Sequence, residues 1–430
     1  MLIKNITILD FENLSTQENL DIKIEQNKIV KVGVINDSDS EVIDGSSLYV
    51  IPGLINTHAH TAMVFLRGSA EDVTSSDWFN NHIWIYEKNI QKGDVYLGTL
   101  LGAIEMISSG ITTVFDHYFN MEEALSAYKD LGMRADLSYT MFGAGENAQE
   151  NFKNAMNFIE KYNGVNELFT ISLGPHSPYV CPKEFLEDIS RIRIDLGLKV
   201  HLHISEEPWQ VEKSIKEYGM TPIEFIDSIG LLDENTILAH AYYSTDSDLD
   251  LIKKRNSNIA HAPKTYLKFA WVNNFLNRAI EKDVNVSFAT DGAASNSNYS
   301  IFEVSRLSAF LGKVASGNPT STKIGDVLRL FAKGEKFLKK PISKIKVGYL
   351  ADLVFLDKYS PRLNPTINIF ANILYSISEA DIRMVMINGK IVYKDGEIFG
   401  YKKERIIESI NKVGKRLVRK NTDKPMQMFG

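Results

Sequence analysis

The sequence predicts an α/β protein made of a (β/α)8 barrel and a discontinuous β-sandwich built from both termini. Two observations lead to this prediction. Between residues 53 and 342, short apolar strand-like runs alternate with longer helical patterns, as in a parallel sheet covered by helices. Strand-rich segments without such helices flank this region at both ends of the chain.

The first fifty residues indicate an antiparallel β unit. Apolar and polar residues alternate from Leu2 to Leu9, and further short runs follow at Leu20–Ile24 and Ile29–Val34. Turn-forming residues separate these runs, as they do between antiparallel strands. Because the pattern changes at Pro52-Gly53, we place a domain boundary between residues 52 and 53.

The predicted barrel occupies residues 53–342. Its strand-like runs have the apolar and β-branched composition of buried parallel strands. The clearest of them are Thr112–Phe115, Leu168–Leu173, Lys199–His203, Thr236–His240 and Val284–Ala289. The helical patterns between these runs would form the outer layer of the barrel.

Strands return after residue 343 and complete the predicted sandwich, which we assign to residues 1–52 and 343–430. The runs Ala351–Leu356 and Val385–Tyr393 are strand-like. Asn388-Gly389 lies inside the second run and predicts a type I′ hairpin turn, which needs positive φ at both positions.

A basic amphipathic segment runs from Lys402 to Lys420, with apolar residues at helical spacing among lysines and arginines. Such a helix either packs on the protein with a solvated polar face or binds a membrane surface. We expect the packing helix, because a solvated charged face is the commoner reason for this pattern.

The composition argues against several functional classes. The 430 residues carry a net charge of -6, so no basic field is present to attract nucleic acid or an anionic membrane. Cys181 is the only cysteine and cannot form an intramolecular disulfide, which fits a cytoplasmic protein. The N-terminus does not resemble a signal peptide, and no stretch is apolar enough to span a bilayer. We expect a small-molecule substrate and leave homo-oligomer formation open.

Several residues that can bind metals lie at the ends of predicted strands. His58 and His60 form a His-x-His motif, and the two-residue period of a strand places both imidazoles on one face. His203, His240 and Asp291 each end another strand. In a (β/α)8 barrel the carboxyl ends of all strands open onto one rim, so these side chains should converge.

Three imidazoles and one carboxylate form a suitable ligand set for Zn²⁺ or Fe²⁺ with a position left for water. Glu206 follows His203 at His-x-x-Glu spacing on the same rim. His201, two residues before His203, points the same way but lies deeper. We expect His201 to lie behind the metal ligands or in the core.

The ordered motifs resemble the amidohydrolase superfamily, and within it the aminohydrolase branch of S-adenosylhomocysteine and 5′-methylthioadenosine deaminases. The resemblance covers essentially the whole chain and implies the barrel-plus-sandwich fold. The matching segments are His58-Ala59-His60, Gly174-Pro175-His176-Ser177-Pro178-Tyr179, His203-Ile204-Ser205-Glu206, Leu238-Ala239-His240 and Thr290-Asp291-Gly292-Ala293-Ala294-Ser295.

The resemblance implies a role for each matching residue. It makes His58, His60, His203 and Asp291 the metal ligands, and it makes Glu206, His240 and Asp291 the catalytic groups that move protons. Superfamily members with two metals carry a bridging lysine at the end of the fourth barrel strand. Here that strand ends in Gly174-Pro175-His176, so we expect one ion per chain, Zn²⁺ or alternatively Fe²⁺.

The resemblance also suggests substrate-binding residues. Glu87 aligns with a glutamate that holds ribose hydroxyls, and His176 with a histidine that contacts the sugar or the heterocycle. We expect Trp78 to line the pocket. Tyr139 occupies the place of an arginine that meets the amino-acid carboxylate of S-adenosylhomocysteine, and no arginine lies between Arg134 and Arg191.

These residues predict a metal-dependent hydrolytic deaminase. The expected substrate is an adenosine-type nucleoside such as 5′-methylthioadenosine, 5′-deoxyadenosine, adenosine or S-adenosylhomocysteine. The alternatives are a guanine- or pterin-type deaminase and a triazine-type chlorohydrolase or amidase that uses the same site. A non-catalytic paralogue is disfavoured because every ligand position is filled.

Overall fold

The computed structural model describes residues 1–36, 41–398, 400–419 and 425–427. Their strands form two separate sheets. In chain order the strands are β1 (Leu2–Asp10), β2 (Ser15–Glu25), β3 (Lys28–Gly33), β4 (Val42–Asp44), β5 (Leu48–Pro52), β6 (Leu54–Ala59), β7 (Ile111–Tyr118), β8 (Arg134–Met141), β9 (Phe169–Pro175), β10 (Lys199–Ile204), β11 (Thr236–His240), β12 (Asn258–His261), β13 (Asn285–Phe288), β14 (Leu353–Asp357), β15 (Ile382–Ile387), β16 (Lys390–Lys394) and β17 (Glu397–Ile398).

The helices lie mainly between the barrel strands. In chain order they are α1 (Ser75–Asp77), α2 (Trp84–Tyr86), α3 (Asp94–Ser108), α4 (Met121–Leu131), α5 (Ala148–Tyr162), α6 (Lys183–Leu196), α7 (Pro208–Tyr218), α8 (Pro222–Ser228), α9 (Asp246–Arg255), α10 (Pro263–Lys268), α11 (Phe275–Glu281), α12 (Ala293–Asn296), α13 (Ile301–Ser316), α14 (Ile324–Lys333), α15 (Glu335–Leu338), α16 (Ile369–Tyr375) and α17 (Lys403–Leu417). A 3₁₀ turn (Thr61–Leu66) follows His60, and a π-helical turn covers Trp78–Ile83.

The barrel consists of β6 to β13, which are parallel and hydrogen bonded in sequence order. Side chains and strand ends hold β13 against β6. The Thr57 hydroxyl donates to the carbonyl of Phe288 at 2.9 Å, and the amide of Asp291 donates to the carbonyl of His58 at 3.0 Å. The predicted (β/α)8 barrel is therefore confirmed, and its closure brings the ends of β6 and β13 together.

The predicted domain built from both termini is confirmed, and its strands form one continuous sheet. Its central strand β5 pairs with β1 on one side and with β14 on the other. Alternate residues face opposite ways, because side chains in a strand have a period of two. Val50 and Phe355 belong to an apolar cluster within this sheet, whereas Ile51 and Val354 join the core shared with the barrel.

Two further predictions for the C-terminal region are confirmed. Asn388 and Gly389 have φ angles of 52° and 77° and connect β15 to β16 as a hairpin turn. Helix α17 buries its apolar face against α3 and the turn Thr61–Leu66. Lys420, the last residue of the predicted helix, lies outside the described residues. Within the described part of the chain, no helix is both long and apolar enough to cross a membrane.

A buried ion pair joins the amino-terminal end of the barrel to the terminal sheet. The guanidinium of Arg134, at the start of β8, donates to both oxygens of Asp352 at 2.9 and 3.1 Å. Both side chains are 1% exposed. Asp352 also accepts a hydrogen bond from the amide of Asn388 at 2.7 Å, so its charge is well compensated.

Candidate metal and catalytic site

Four side chains that the sequence assigns to a metal meet at the carboxyl rim of the barrel. Oδ1 of Asp291 lies 3.6 Å from Nε2 of His58 and 3.3 Å from Nε2 of His60. Nε2 of His203 lies 3.2 Å from Nε2 of His60. These residues come from the ends of β6, β10 and β13, so the barrel brings together positions far apart in the sequence.

Hydrogen bonds on the far side of the rings fix which nitrogen carries the proton. Nδ1 of His60 donates to the carbonyl of His117 at 2.5 Å, and Nδ1 of His203 donates to the carbonyl of His176 at 3.0 Å. A carbonyl can only accept, so in the neutral rings both Nε2 atoms carry lone pairs. The contact of 3.2 Å between them therefore has no proton to bridge it.

This arrangement fits a cation. Nε2 of His58 is buried and has no hydrogen-bond partner within the described part of the chain, although it faces the same point as the other two Nε2 atoms. Burial lowers the pKa of His58 to about 4 and that of His203 well below its usual value, so both rings are neutral, as metal ligands must be. Converging lone pairs repel each other unless a positive ion lies between them.

Asp291 is oriented by two hydroxyl groups. Thr265 and Ser295 each donate a hydrogen bond of 2.8 Å to its Oδ2, which leaves Oδ1 toward the histidines. Burial alone would raise the pKa of Asp291, but His58 and the neighbouring imidazoles outweigh burial and hold that pKa below its usual range. The carboxylate is therefore ionised and available to a cation.

Glu206 and His240 form a second pair beside these ligands. Oε1 of Glu206 lies 3.4 Å from Nε2 of His240, while Oε2 of Glu206 and Nδ1 of His240 are buried and have no hydrogen-bond partner among the residues that the structure describes. Burial, with Asp291 and Glu207 nearby, raises the pKa of Glu206 well above its usual value, which favours the protonated form of this carboxyl. Burial lowers the pKa of His240 to about 3, which keeps the imidazole neutral.

Two of these residues have a strained backbone conformation. His240 has a φ of 73° and Asp291 a φ of 63°, a left-handed conformation that residues other than glycine rarely adopt. Such strain persists only where the surrounding structure imposes it, and it is common at functional sites. Ring nitrogens of His58, His203 and His240 also lie within 4.8 Å of one another, so His240 borders the metal position closely.

A pocket opens in front of the metal and catalytic residues. Its walls are mainly apolar and aromatic, as in most small-molecule sites. They include Met63, Trp78, Phe79, Trp84, Phe142 and Phe269. Of the predicted substrate-binding residues, Glu87, His176 and Trp78 line this pocket.

Glu87 is a buried carboxyl on the pocket wall. The hydroxyl of Tyr118 donates to its Oε1 at 2.6 Å. Burial raises the pKa of Glu87 to about 8, and the hydrogen bond from Tyr118 opposes this shift only in part. A carboxyl held in this way can bind hydroxyl groups of a ligand, which is the role that the sequence suggested.

The expected pocket position of Tyr139 is corrected by the structure. Its ring lies against Phe158 of α5 with centroids 6.0 Å apart, and it does not line the pocket. The reason is the two-residue period of β8, which points Thr140 into the pocket instead. The Thr140 hydroxyl lies 2.9 Å from Nδ1 of His117.

Some site residues were missed by sequence reasoning. Thr265, Tyr118 and Thr140 all contact residues of the site, yet none belongs to a motif that marks it. Ser295 stood within the motif Thr290–Ser295, and its position four residues after Asp291 was the available signal. Among the described residues that line the pocket, none is lysine or arginine.

Comparisons with known proteins agree with this architecture. Residues 49–392 match the amidohydrolase family. The chain is 37% identical to a 5-methylthioadenosine/S-adenosylhomocysteine deaminase from Carboxydothermus hydrogenoformans, over 97% of this chain and 98% of that protein. It is 36% identical to a 5′-deoxyadenosine deaminase from Methanocaldococcus jannaschii, over 95% of this chain and 97% of that protein.

A solved structure shows the same fold. An adenosine deaminase from Xanthomonas campestris with bound zinc superposes with a TM-score of 0.92 at 25% identity, covering 97% of this chain and 98% of that one. The family match spans most of the chain, and the two curated relatives cover nearly its full length. The chain therefore belongs to the amidohydrolase family.

Proposed function

We propose that this protein is a metal-dependent hydrolytic deaminase of adenosine-type nucleosides. The observation that carries the proposal is the meeting of three imidazoles and Asp291 beside the buried Glu206 at one end of an aromatic pocket. The names of the two curated relatives support the nucleoside class, since both are deaminases of 5′-substituted or 5′-deoxy adenosines.

His58, His60, His203 and Asp291 would hold one divalent ion, Zn²⁺ or alternatively Fe²⁺. When bound, such an ion would lower the pKa of water, so that a nucleophile would be available at neutral pH. The bound zinc in the Xanthomonas campestris enzyme supports zinc as the metal. One ion per chain is proposed because the strand that ends at Pro175 has no lysine to bridge two.

Glu206, His240 and Asp291 would move the protons. The protonated Glu206 donates to the ring nitrogen adjacent to the amino-bearing carbon, which makes that carbon electrophilic. His240 lies 3.4 Å from Glu206, orients the attacking water and, with Asp291, accepts its proton. That proton then passes to the leaving amino group and the remaining hydroxyl proton returns to Glu206, so water and the amine are converted to a ring carbonyl and ammonia.

The remaining pocket residues would select the substrate. Glu87 would hold the ribose hydroxyls and His176 would contact the sugar or the base. The aromatic wall formed by Trp78, Trp84 and Phe142 would cover apolar parts of the nucleoside and exclude water. No cationic side chain of the described lining is available for a carboxylate, so we propose that uncharged 5′ groups are preferred.

The test is ammonia release by zinc-loaded protein from a panel of nucleosides, guanine, a pterin and an aminotriazine, with Glu206→Gln as the inactive control. We expect release from the adenosine-type nucleosides and about one zinc per chain by metal analysis. Activity on guanine, the pterin or the triazine alone would overturn the nucleoside assignment. Two tightly held ions per chain would overturn the single-metal assignment.

A further inference from the structure

The three imidazoles that face the proposed metal differ in how their other ring nitrogen is held. His60 and His203 donate from Nδ1 to main-chain carbonyls. Nδ1 of His58 instead lies 2.8 Å from Nε2 of another imidazole, that of His201. Among these three contacts, the one at His58 is the only one made by a side chain, so it is the one that a substitution can remove.

His201 is positioned for this contact by its strand. It lies on β10, two residues before His203, so both rings point into the barrel, with His201 one layer deeper. The side chain of His201 is fully buried, and its ring packs against that of His58 with centroids 4.9 Å apart. Nδ1 of His201 lies 3.4 Å from the hydroxyl of Ser138 on β8.

The position of the hydrogen between His58 and His201 decides whether His58 can bind a metal. If Nδ1 of His58 donates, its Nε2 carries a lone pair toward Asp291, and Nε2 of His201 is the acceptor. If His201 donates instead, Nε2 of His58 carries a proton, which points at Oδ1 of Asp291 3.6 Å away. The first arrangement can bind a cation and the second cannot.

We propose that His201 is a positioning residue for the metal: by accepting a hydrogen bond at Nε2 from Nδ1 of His58, with its own Nδ1–H directed to Ser138, it holds His58 in the metal-binding tautomer. This inference rests on the metal assignment within the proposed function. Partners of this kind orient metal ligands, and their removal commonly weakens metal binding by about 10- to 100-fold.

His261 provides a matched control. It is also a buried histidine at the end of a barrel strand, packed against Phe275 with centroids 5.6 Å apart. Neither of its ring nitrogens has a hydrogen-bond partner in residues 1–36, 41–398, 400–419 and 425–427. A substitution at this position therefore changes packing without touching the orientation of His58.

The test compares His201→Phe, His201→Gln, Ser138→Ala and His261→Phe with the unaltered protein. Phenylalanine keeps ring volume but cannot accept a hydrogen bond, whereas the amide oxygen of glutamine can. The first readout is the dissociation constant for Zn²⁺ by chelator competition. The second is the melting temperature of the metal-free proteins, which reports the stability of the fold without the metal.

We expect His201→Phe to weaken zinc binding by about 10- to 100-fold, and His201→Gln to recover most of this loss. Ser138→Ala should weaken binding less, in the same direction, and gives a second variant if His201→Phe does not fold. His261→Phe should leave the zinc constant close to that of the unaltered protein.

Two results would overturn the proposal: zinc bound by His201→Phe and Ser138→Ala as tightly as by the unaltered protein, or an equal loss in His261→Phe. Because the readout is zinc affinity, the outcome is separable from the deaminase activity. An unaltered protein that binds zinc but releases no ammonia would refute the proposed reaction and leave this inference standing. Failure of the unaltered protein to bind zinc would refute the inference.

Discussion

The two ends of the barrel bury polar groups in opposite ways. At the amino-terminal end, Arg134 is paired with Asp352, and Lys199 with Asp136. At the carboxyl rim, Oε2 of Glu206, Nδ1 of His240 and Nε2 of His58 are equally buried but have no hydrogen-bond partner among the described residues. The barrel therefore has compensated ionisable groups at one end and uncompensated ones at the other.

This difference separates residues that stabilise the fold from residues that are available for catalysis. A buried polar group without a partner costs free energy, and residues with positive φ such as His240 and Asp291 add to that cost. The unpartnered groups at the rim can bind a metal, a water or a substrate. At the other end, Arg134 and Asp352, and Lys199 and Asp136, form ion pairs. Substitutions at the rim should therefore change activity, and substitutions at the other end should change stability.

The largest effect is expected for Glu206→Gln, which keeps the shape of the rim but removes its proton donor. General acid–base groups contribute about 10² to 10⁴ in rate, so turnover should fall by that factor. Zinc content and melting temperature should stay close to those of the unaltered protein. Steady-state ammonia release and metal analysis check this. Loss of the metal from the variant would show that Glu206 is a ligand instead.

Arg134→Met tests the amino-terminal end of the barrel. Removing one partner of a buried ion pair leaves the other charge uncompensated and costs about 3–5 kcal/mol, so the denaturant midpoint should drop markedly. Activity of the folded enzyme at low denaturant should be retained. Arg191→Ala is the control, since its exposed pair with Asp188 should contribute at most about 1 kcal/mol. If Arg134→Met left the denaturant midpoint unchanged, the expectation that the amino-terminal end of the barrel contributes to stability would be contradicted.

Glu87→Gln should stabilise the protein in a pH-dependent manner. The pKa of Glu87 is raised to about 8 by burial, against 4.5 in the unfolded chain. Between these values the folded state keeps a proton that the unfolded state has lost, so the unaltered protein loses stability as pH rises toward 8. Glutamine avoids this loss. The melting temperature of the variant should match that of the unaltered protein near pH 4.5 and exceed it above pH 8.

Parallel melting curves for the two proteins across this pH range would contradict the expectation for Glu87. The variant should also have a higher KM for nucleosides, because the carboxyl is proposed to hold the ribose hydroxyls. A higher melting temperature together with weaker binding is the result expected for a residue kept at the rim for function.

The smallest effect expected is in substrate choice. Arginine and lysine at the amino-terminal end are paired with carboxylates, and the described pocket lining has neither. The zwitterionic tail of S-adenosylhomocysteine would lose water with poor compensation. We expect kcat/KM to be higher for 5′-methylthioadenosine, 5′-deoxyadenosine or adenosine. A tenfold or larger preference for S-adenosylhomocysteine, under identical zinc loading, would indicate a carboxylate anchor at the rim.

The sequence predicted the barrel and the convergence of the metal-facing residues because both depend on strand ends, and strand ends are visible as local patterns. His58, His203 and Asp291 each end an apolar run. The side chain direction of Tyr139 depends on the register of strand β8, in which every position is buried, so that no alternation of buried and exposed residues reveals it. The contacts of Thr265 with Asp291 and of His201 with His58 join residues far apart in the sequence, and no local pattern records such a contact.

The junction between the sheet and the barrel has a consequence for folding. Strand β5 ends at Pro52, and β6, which carries His58, begins at Leu54. Pro52 pairs with Leu353, so residues 53–352 must be synthesised before β5 gains its second neighbour. At about 5–20 residues per second, that takes about 15–60 s. Strand β6 is thus synthesised early, but β5, which precedes it directly in the chain, gains its second neighbour late. An amino-terminal fragment cannot form the site by itself.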